Sequence, residues 1–293
     1  MTPKWKSVLL AFRPKTLTAA LVPCLVGSAY AYRALASFEL WVLIFAALAA
    51  FCIQIGTNLF NDAMDFKKGT DTHERIGPQR ITQAGIMPYK WVLILAGLFF
   101  LAALVLGIPL VAKGGLPILI VGLVSIAMGY AYTGGPFPLA YLGLGDLFVI
   151  LFFGIVAVVG MVFLHTGAFS GEAALLGLQV GLHAAVLIVI NNMRDIEGDR
   201  KNHKKTLAVR MGIQKSRWEV YALLTIPFLI NFYWLTQGYR SVFALGLLAL
   251  PLAIRLMFDI KSTLPSPVYN RYLARAAGVH LMFGLGLALG FFL

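Results

Sequence analysis

Charge is scarce in this 293-residue sequence: only 12% of its residues are Asp, Glu, Lys or Arg, and the acidic ones number 12 against 24 basic. A chain that is 60% hydrophobic, with a mean hydropathy of +0.84, is excluded from the soluble globular class. It reads as an integral membrane protein. Cysteine is nearly absent. Cys24 and Cys52 both fall in apolar runs, so they read as small packing residues and not as a disulfide. The five histidines lack any H-E-x-x-H spacing and the glycine-rich stretches lack a Walker A pattern, so nothing points to ATP. His183 reads as a core residue, and His73 and His203 as loop residues. The first apolar run carries no convincing cleavage site and reads as a retained helix, not a signal peptide.

Long apolar runs are what the chain has in quantity. About nine are long enough to cross a bilayer, near 17–34, 40–60, 91–111, 116–132, 145–166, 173–192, 218–236, 241–258 and 273–292. The expected fold is all-α: a polytopic membrane protein of about nine transmembrane helices around a central cavity, one domain over residues 1–293.

The net charge of +12 has a topological cause. If the N-terminus is cytoplasmic and nine spans alternate, 21 of the 24 Lys and Arg fall on the cytoplasmic side, leaving only Arg33, Lys113 and Arg240 outside. That is the positive-inside pattern. The partner it implies is the lipid bilayer, and nucleic acid is not needed to explain it.

The remaining acid is concentrated. Residues 58 to 85 read NLFNDAMDFKKGTDTHERIGPQRITQAG, and Asn58, Asn61, Asp62 and Asp65 follow the i, i+3, i+4, i+7 spacing of one helical face, with Asp71 six residues further on. Carboxylates and amides converging at a membrane-helix end repel one another, so a positive charge is expected among them. Hard oxygen donors of this kind suit Mg²⁺, which shares its shell with waters and substrate phosphates. Arg75 and Arg80 stand where they could meet those phosphates.

The device recurs four spans later, in VINNMRDIEGDRKNHKKTLAVRMG, residues 189 to 212. Asn192, Asp195 and Asp199 share a face at i, i+3, i+7, and Arg200, Lys201, Lys204 and Lys205 follow. Spans four apart cross in the same direction, which predicts a parallel internal repeat of about four helices with a site between its halves. Two acidic clusters with Lys and Arg on one cavity describe a diphosphate held through divalent metal. If the group attached to it is allylic, the cation formed on ionisation needs an apolar, aromatic-lined cavity.

Between these clusters lies GYAYTGGPFPLAYLGLGD, residues 129 to 146, a connection almost free of charge whose Gly-Gly-Pro marks a defined turn. Tyr132 could donate to a diphosphate oxygen, face the cation, or simply pack. Asp146 stands either at the acceptor end of the cavity or as a favourable helix N-terminal charge.

These stretches, with RPKTL at 13 to 17, resemble the UbiA superfamily of intramembrane aromatic prenyltransferases, and within it the branch that prenylates 1,4-dihydroxy-2-naphthoate on the way to menaquinone or phylloquinone. The resemblance covers nearly the whole chain and is weakest over the last three spans. The six-residue step from Asp65 to Asp71 departs from the Asp-x-x-x-Asp of many members and agrees with the naphthoate branch. The resemblance implies one Mg²⁺ on Asn61, Asp65 and Asp71, with Asp62 and Asn58 beside them, and a second on Asp195 and Asp199, supported by Asn192. Arg75, Arg80 and Lys205 would contact diphosphate, while Arg200 and Lys201 would contact either diphosphate or lipid headgroups. The implied substrates are a polyprenyl diphosphate and the naphthoate, which loses CO2, and the implied location is the bacterial cytoplasmic membrane, with a plastid or thylakoid membrane as the alternative.

Three rivals share part of this pattern. A 4-hydroxybenzoate or homogentisate prenyltransferase would use the same diphosphate residues. A CDP-alcohol phosphatidyltransferase wants Gly where Phe66 follows Asp65. An ion-coupled transporter would carry its carboxylates near mid-bilayer, whereas these lie at helix ends.

Overall fold

The computed structural model describes residues 4–70, 76–77 and 80–293. Asp71, His73 and Arg75, all considered above, lie outside them. Among the described residues the regular structure is helical, with no strand. The α-helices are α1 (Lys4–Ala11), α2 (Thr18–Leu35), α3 (Leu40–Lys67), α4 (Tyr89–Ala131), α5 (Gly145–Ile150), α6 (Ala157–Thr166), α7 (Gly171–Arg194), α8 (Ile196–Lys201), α9 (Leu207–Thr236), α10 (Arg240–Gly246), α11 (Leu250–Ser262) and α12 (Tyr269–Phe292). A π-helical turn, Leu151–Val156, joins α5 to α6.

Seven helical segments are long and apolar enough to cross a membrane, or eight when α2 is counted with the bent segment before it. The expectation of about nine is not met by this count, and the reason is visible in α4. Its 43 residues contain the runs 91–111 and 116–132 in one element, interrupted at Gly115, whose φ of 64° and ψ of −152° are not helical. A Cβ on Gly129 would lie 3.5 Å from the Phe100 ring and 2.5 Å from Thr57 Oγ1, so the second half returns beside the first and beside α3. Glycine is the residue that adopts this positive φ without steric cost.

Within lipid there is no solvent to drive helices together, and close backbone approach through small residues takes over. Gly177 and Gly181 of α7 meet Gly154 of the π-helical turn so tightly that a Cβ on Gly154 would come within 2.6 Å of Gly181 Cα. Gly290 of α12 meets α10 similarly, with 2.6 Å from its would-be Cβ to Val242 N. These contacts set α7 at the centre, with 78% of its most apolar window buried, against 17% for α4. The largest core cluster joins α2, α7, α9 and α12, through residues such as Val26, Val186, Leu224 and Phe283. His183 is buried against it, its ring centre 4.5 Å from that of Phe283. Cys24 and Cys52 are both free thiols.

The other side of the bundle is open. Between α2, α3, α4 and the α5–α6 unit lies a cavity of about 650 Å³ lined by apolar side chains such as Leu104, Ile118, Phe148 and Phe152, with Tyr132 on its wall. Helix α3, 28 residues long, spans about 42 Å. That exceeds the roughly 30 Å hydrocarbon thickness, so its polar last turns can project beyond the apolar layer.

Candidate functional site

The polar end of α3 is built as its spacing requires. Asn58, Asn61, Asp62 and Asp65 are all buried. Asn58 Nδ2 donates to the Phe12 carbonyl at 3.3 Å and to Thr16 Oγ1 at 3.4 Å, fastening the N-terminal segment. Asn61 Oδ1 accepts from the Thr133 hydroxyl at 2.6 Å. Asp65 accepts from Arg80 Nη2 at 2.8 Å through Oδ2 and from the Tyr141 hydroxyl at 2.7 Å through Oδ1. Arg80 also donates to the Asn61 carbonyl at 2.8 Å. Two carboxylates of the mouth, the buried Asp65 and the half-buried Asp195, thus receive a positive partner from the chain itself, Arg80 and Arg194.

Asp62 differs from its expected part. Its two oxygens accept from the backbone N–H of Ile81 at 3.1 Å and of Thr82 at 3.4 Å, and from the Thr82 hydroxyl. It anchors the segment that delivers Arg80.

In the second cluster Asn192 is buried. Asp195 is gripped by Arg194, whose Nε and Nη2 donate to its two oxygens at 2.8 and 2.6 Å. Arg194 is 1% exposed, and its remaining donors reach Asn191 Oδ1 at 2.9 Å and Asn270 Oδ1 of α12 at 2.7 Å. Asp199 has Lys204 Nζ at 3.7 Å. Arg200 is not brought to the cluster: it pairs with Glu197 at 2.9 Å on an exposed face. Lys201 and Lys205 are exposed as well.

The clusters converge through the turn between α4 and α5. Tyr141, hydrogen-bonded to Asp65, also has Lys68 Nζ 4.4 Å and Lys204 Nζ 5.5 Å from its ring centre. Its carbonyl accepts from Lys205 N–H at 3.2 Å. Asn202 Nδ2 donates to the Thr70 carbonyl at 3.2 Å, so the chain after α7 is bonded directly to the chain after α3. Both acidic ends therefore lie at the same end of the bundle. Tyr132 feels Asp146, Arg13, Asp65 and Asp199 together. Burial first, and then Asp146, pushes its phenol above the usual range, while Arg13 acts the other way. Tyr141 is raised likewise, by burial and by Asp65. Both phenols stay protonated donors at neutral pH. Burial lowers the Lys68 ammonium from its usual value, with Asp65 opposing, and Lys68 donates to the Thr133 carbonyl at 2.6 Å.

Sequence reasoning missed Tyr141, Lys68, Thr133 and Arg194. Tyr141 and Thr133 stood inside the noted turn and Arg194 inside the second acidic motif, but only folding reveals which neighbour each one meets. No group of three His, Cys, Asp or Glu able to cage a metal ion is present among the described residues. The donors offered are hard oxygens from Asn61, Asp65, Asp195 and Asp199. An incomplete set of that kind fits Mg²⁺, which completes its shell with water and phosphate oxygens.

Residues 20–271 match the model of the UbiA prenyltransferase family. A 1,4-dihydroxy-2-naphthoate octaprenyltransferase of Bacillus subtilis is 36% identical over 261 residues, covering 87% of this chain and 78% of its own length. One from Haemophilus influenzae is 35% identical over 299 residues, covering 95% and 94%. Among solved structures, a UbiA homologue from Archaeoglobus fulgidus bound to DMAPP and Mg²⁺ superposes with a TM-score of 0.66 at 14% identity, over 97% of this chain and 99% of that one.

Proposed function

Since the chain belongs to the UbiA prenyltransferase family, we propose that it moves a polyprenyl group from its diphosphate to 1,4-dihydroxy-2-naphthoate, releasing pyrophosphate and CO2 and leaving the demethyl quinol precursor of menaquinone or phylloquinone. The observation that carries this is the junction of two acidic helix ends, tied through Tyr141 and the Asn202–Thr70 bond, with Tyr132 common to them and to the apolar cavity.

A prenyl chain lies along the cavity with its diphosphate at the polar mouth. Lys68, Arg80, Lys204 and Lys205, with Arg75, supply positive charge as the allylic C–O bond breaks. Mg²⁺, two ions, one on Asn61, Asp65 and Asp71 and one on Asp195 and Asp199, would neutralise diphosphate oxygens and so turn a poor leaving group into a good one. Tyr132 presents its ring and protonated hydroxyl where the allylic carbon must sit, and the apolar wall keeps water from the cation. Asn58 fastens the N-terminal segment to the end of α3, Asn192 supports the Asp195–Asp199 pair, and Asp146 belongs to the acceptor side. The ring attacks through the carbon that bears the carboxylate, and loss of CO2 restores aromaticity. The whole of residues 1–293 forms one unit, in a bacterial cytoplasmic membrane, with the N-terminus and mouth on the cytoplasmic side that the basic residues favour.

The test is mass spectrometry of the product made from dihydroxynaphthoate and a panel of prenyl diphosphates by protein in lipid nanodiscs, with Mg²⁺ and with EDTA. Asp65→Ala and Asp199→Ala are each expected to abolish transfer. Full activity in both, or full activity in EDTA, would reject the assignment.

A further inference from the structure

Several glycines of the bundle have a visible reason. Gly154, Gly181 and Gly290 let backbones touch, and Gly115 and Gly212 adopt a positive φ. Gly107 and Gly122 of α4 and Gly160 of α6 have neither reason. They stand inside helices without a positive φ, and a Cβ added to any of them would meet no atom within 4 Å. Glycine inside a helix weakens it relative to alanine. What these three have in common is that they line the apolar cavity.

Two contacts fix their depth. The halves of α4 meet where a Cβ on Gly129 would lie 3.5 Å from the Phe100 ring. Gly107 is seven residues beyond Phe100 and Gly122 seven before Gly129, so each stands about 10 Å past that contact on the way to the break at Gly115. On α6, Gly160 is one turn from Leu164, whose Cδ2 would be 3.2 Å from a Cβ on Gly114. The three glycines therefore share the half of the cavity away from Tyr132, with Gly122 about 15 Å from it along α4.

The wall changes character with depth. A Cβ on Gly145 would lie 3.1 Å from the Tyr132 hydroxyl oxygen, and one turn further along that chain the wall is bulky: Phe148 and Phe152 line it with parallel rings 5.8 Å apart. At the level of the glycines, α3 contributes Ala50, seven residues from the Thr57 that adjoins Gly129. A cavity of about 650 Å³ holds about twenty carbon atoms at the ~30 Å³ that a water-sized group takes up in a liquid, or about four isoprene units. A chain that fills it has to pass the glycines.

Resting on the proposed function, we infer that Gly107, Gly122 and Gly160 determine donor specificity by admitting the distal units of a long prenyl diphosphate, while the first units lie against Phe148 and Phe152. The missing side chains are the room the chain needs. A larger residue at this level meets no protein atom at its Cβ and competes with the prenyl tail for the same space, so it penalises a long donor and spares the part of the cavity that a short one uses.

The experiment compares wild type with Gly122→Leu, Gly160→Leu, Gly122→Ala and Gly97→Leu, using dihydroxynaphthoate and either geranyl or geranylgeranyl diphosphate. Gly97 is the control: it too leaves open space around a Cβ, but it does not line the cavity. Three quantities are read: the ratio of kcat/KM for geranylgeranyl to that for geranyl diphosphate, the thermal unfolding midpoint, and the oligomer size by sedimentation. Leu at position 122 or 160 is expected to lower the ratio by about tenfold or more. The midpoint should not fall, because Leu is the better helix former. Gly122→Ala should lower the ratio less, and Gly97→Leu should leave it within about twofold of wild type. A ratio within about twofold of wild type in both cavity Leu variants, or an equal fall in Gly97→Leu, would overturn the inference. So would a loss that strikes both donors alike together with a lower midpoint or a changed oligomer size, which would assign these glycines to helix packing or to a contact between copies. Wild-type protein that transfers neither prenyl group to dihydroxynaphthoate rejects the proposed function itself, a result read before any variant is compared.

Discussion

Replacing Arg80 by Met removes the positive partner of Asp65 while keeping much of the side chain's apolar bulk. The pair is 2.8 Å apart with both side chains under 10% exposed, so solvent screens it little. At an effective dielectric of about 20, charges at that separation attract by roughly 6 kcal/mol. Desolvation of the two ions offsets much of this, and measured losses on removing one partner of a buried pair are about 3–5 kcal/mol. Arg80 also releases the Asn61 carbonyl, which adds to the loss. Arg80→Met is therefore expected to lower unfolding free energy by about 3–5 kcal/mol, measured by reversible SDS unfolding in bicelles. Adding Asp65→Asn removes the stranded charge, so the double variant should regain at least about 2 kcal/mol relative to additivity. If Arg80→Met costs less than about 1 kcal/mol, a surface-pair value, and the cycle shows no coupling, then Arg80 is not the internal counter-ion of Asp65 and the account of the mouth is wrong.

Further outcomes follow from the same geometry. Asp62→Asn keeps the shape but weakens acceptance from Ile81, Thr82 and its hydroxyl, and should cost about 1–3 kcal/mol in the same unfolding assay. Tyr141→Phe deletes the donor to Asp65; a charge-assisted bond of about 1.5–3 kcal/mol corresponds to a rate loss of roughly ten- to a hundredfold in single-turnover prenyl transfer, and an unchanged rate would remove Tyr141 from the site. Gly181→Val forces a Cβ to within 2.5 Å of the Ile150 carbonyl oxygen, and should shift the unfolding midpoint down by an amount equivalent to about 3 kcal/mol or leave no folded protein.

The sequence patterning and the fold agree most closely where apolar length and helical spacing decide. Each apolar run falls on helix, and Asn58, Asn61, Asp62 and Asp65 lie buried together on one face because four-residue steps leave them no alternative. Partners distant along the chain were not legible. Arg80 meets Asp65 from fifteen residues further along the chain, and Tyr141 reaches two lysines from different halves of the molecule. Periodicity carries no information about such meetings. Asp62 has partners that spacing does not reveal either: its oxygens accept from backbone N–H groups nineteen and twenty residues away. The fold-back of α4 was legible, because the runs 91–111 and 116–132 are separate in the sequence and the break falls between them, at Gly115.

Arg194 completes its set of bonds only with Asn270, a residue near the start of the last helix. A nascent chain leaving the ribosome therefore inserts both acidic helix ends before the side chain that steadies the second of them has been made. The mouth gains this anchor only once the start of α12 has been made, so a product terminated before Asn270 would keep Asp65, Asp195 and Asp199 and still hold Asp195 loosely.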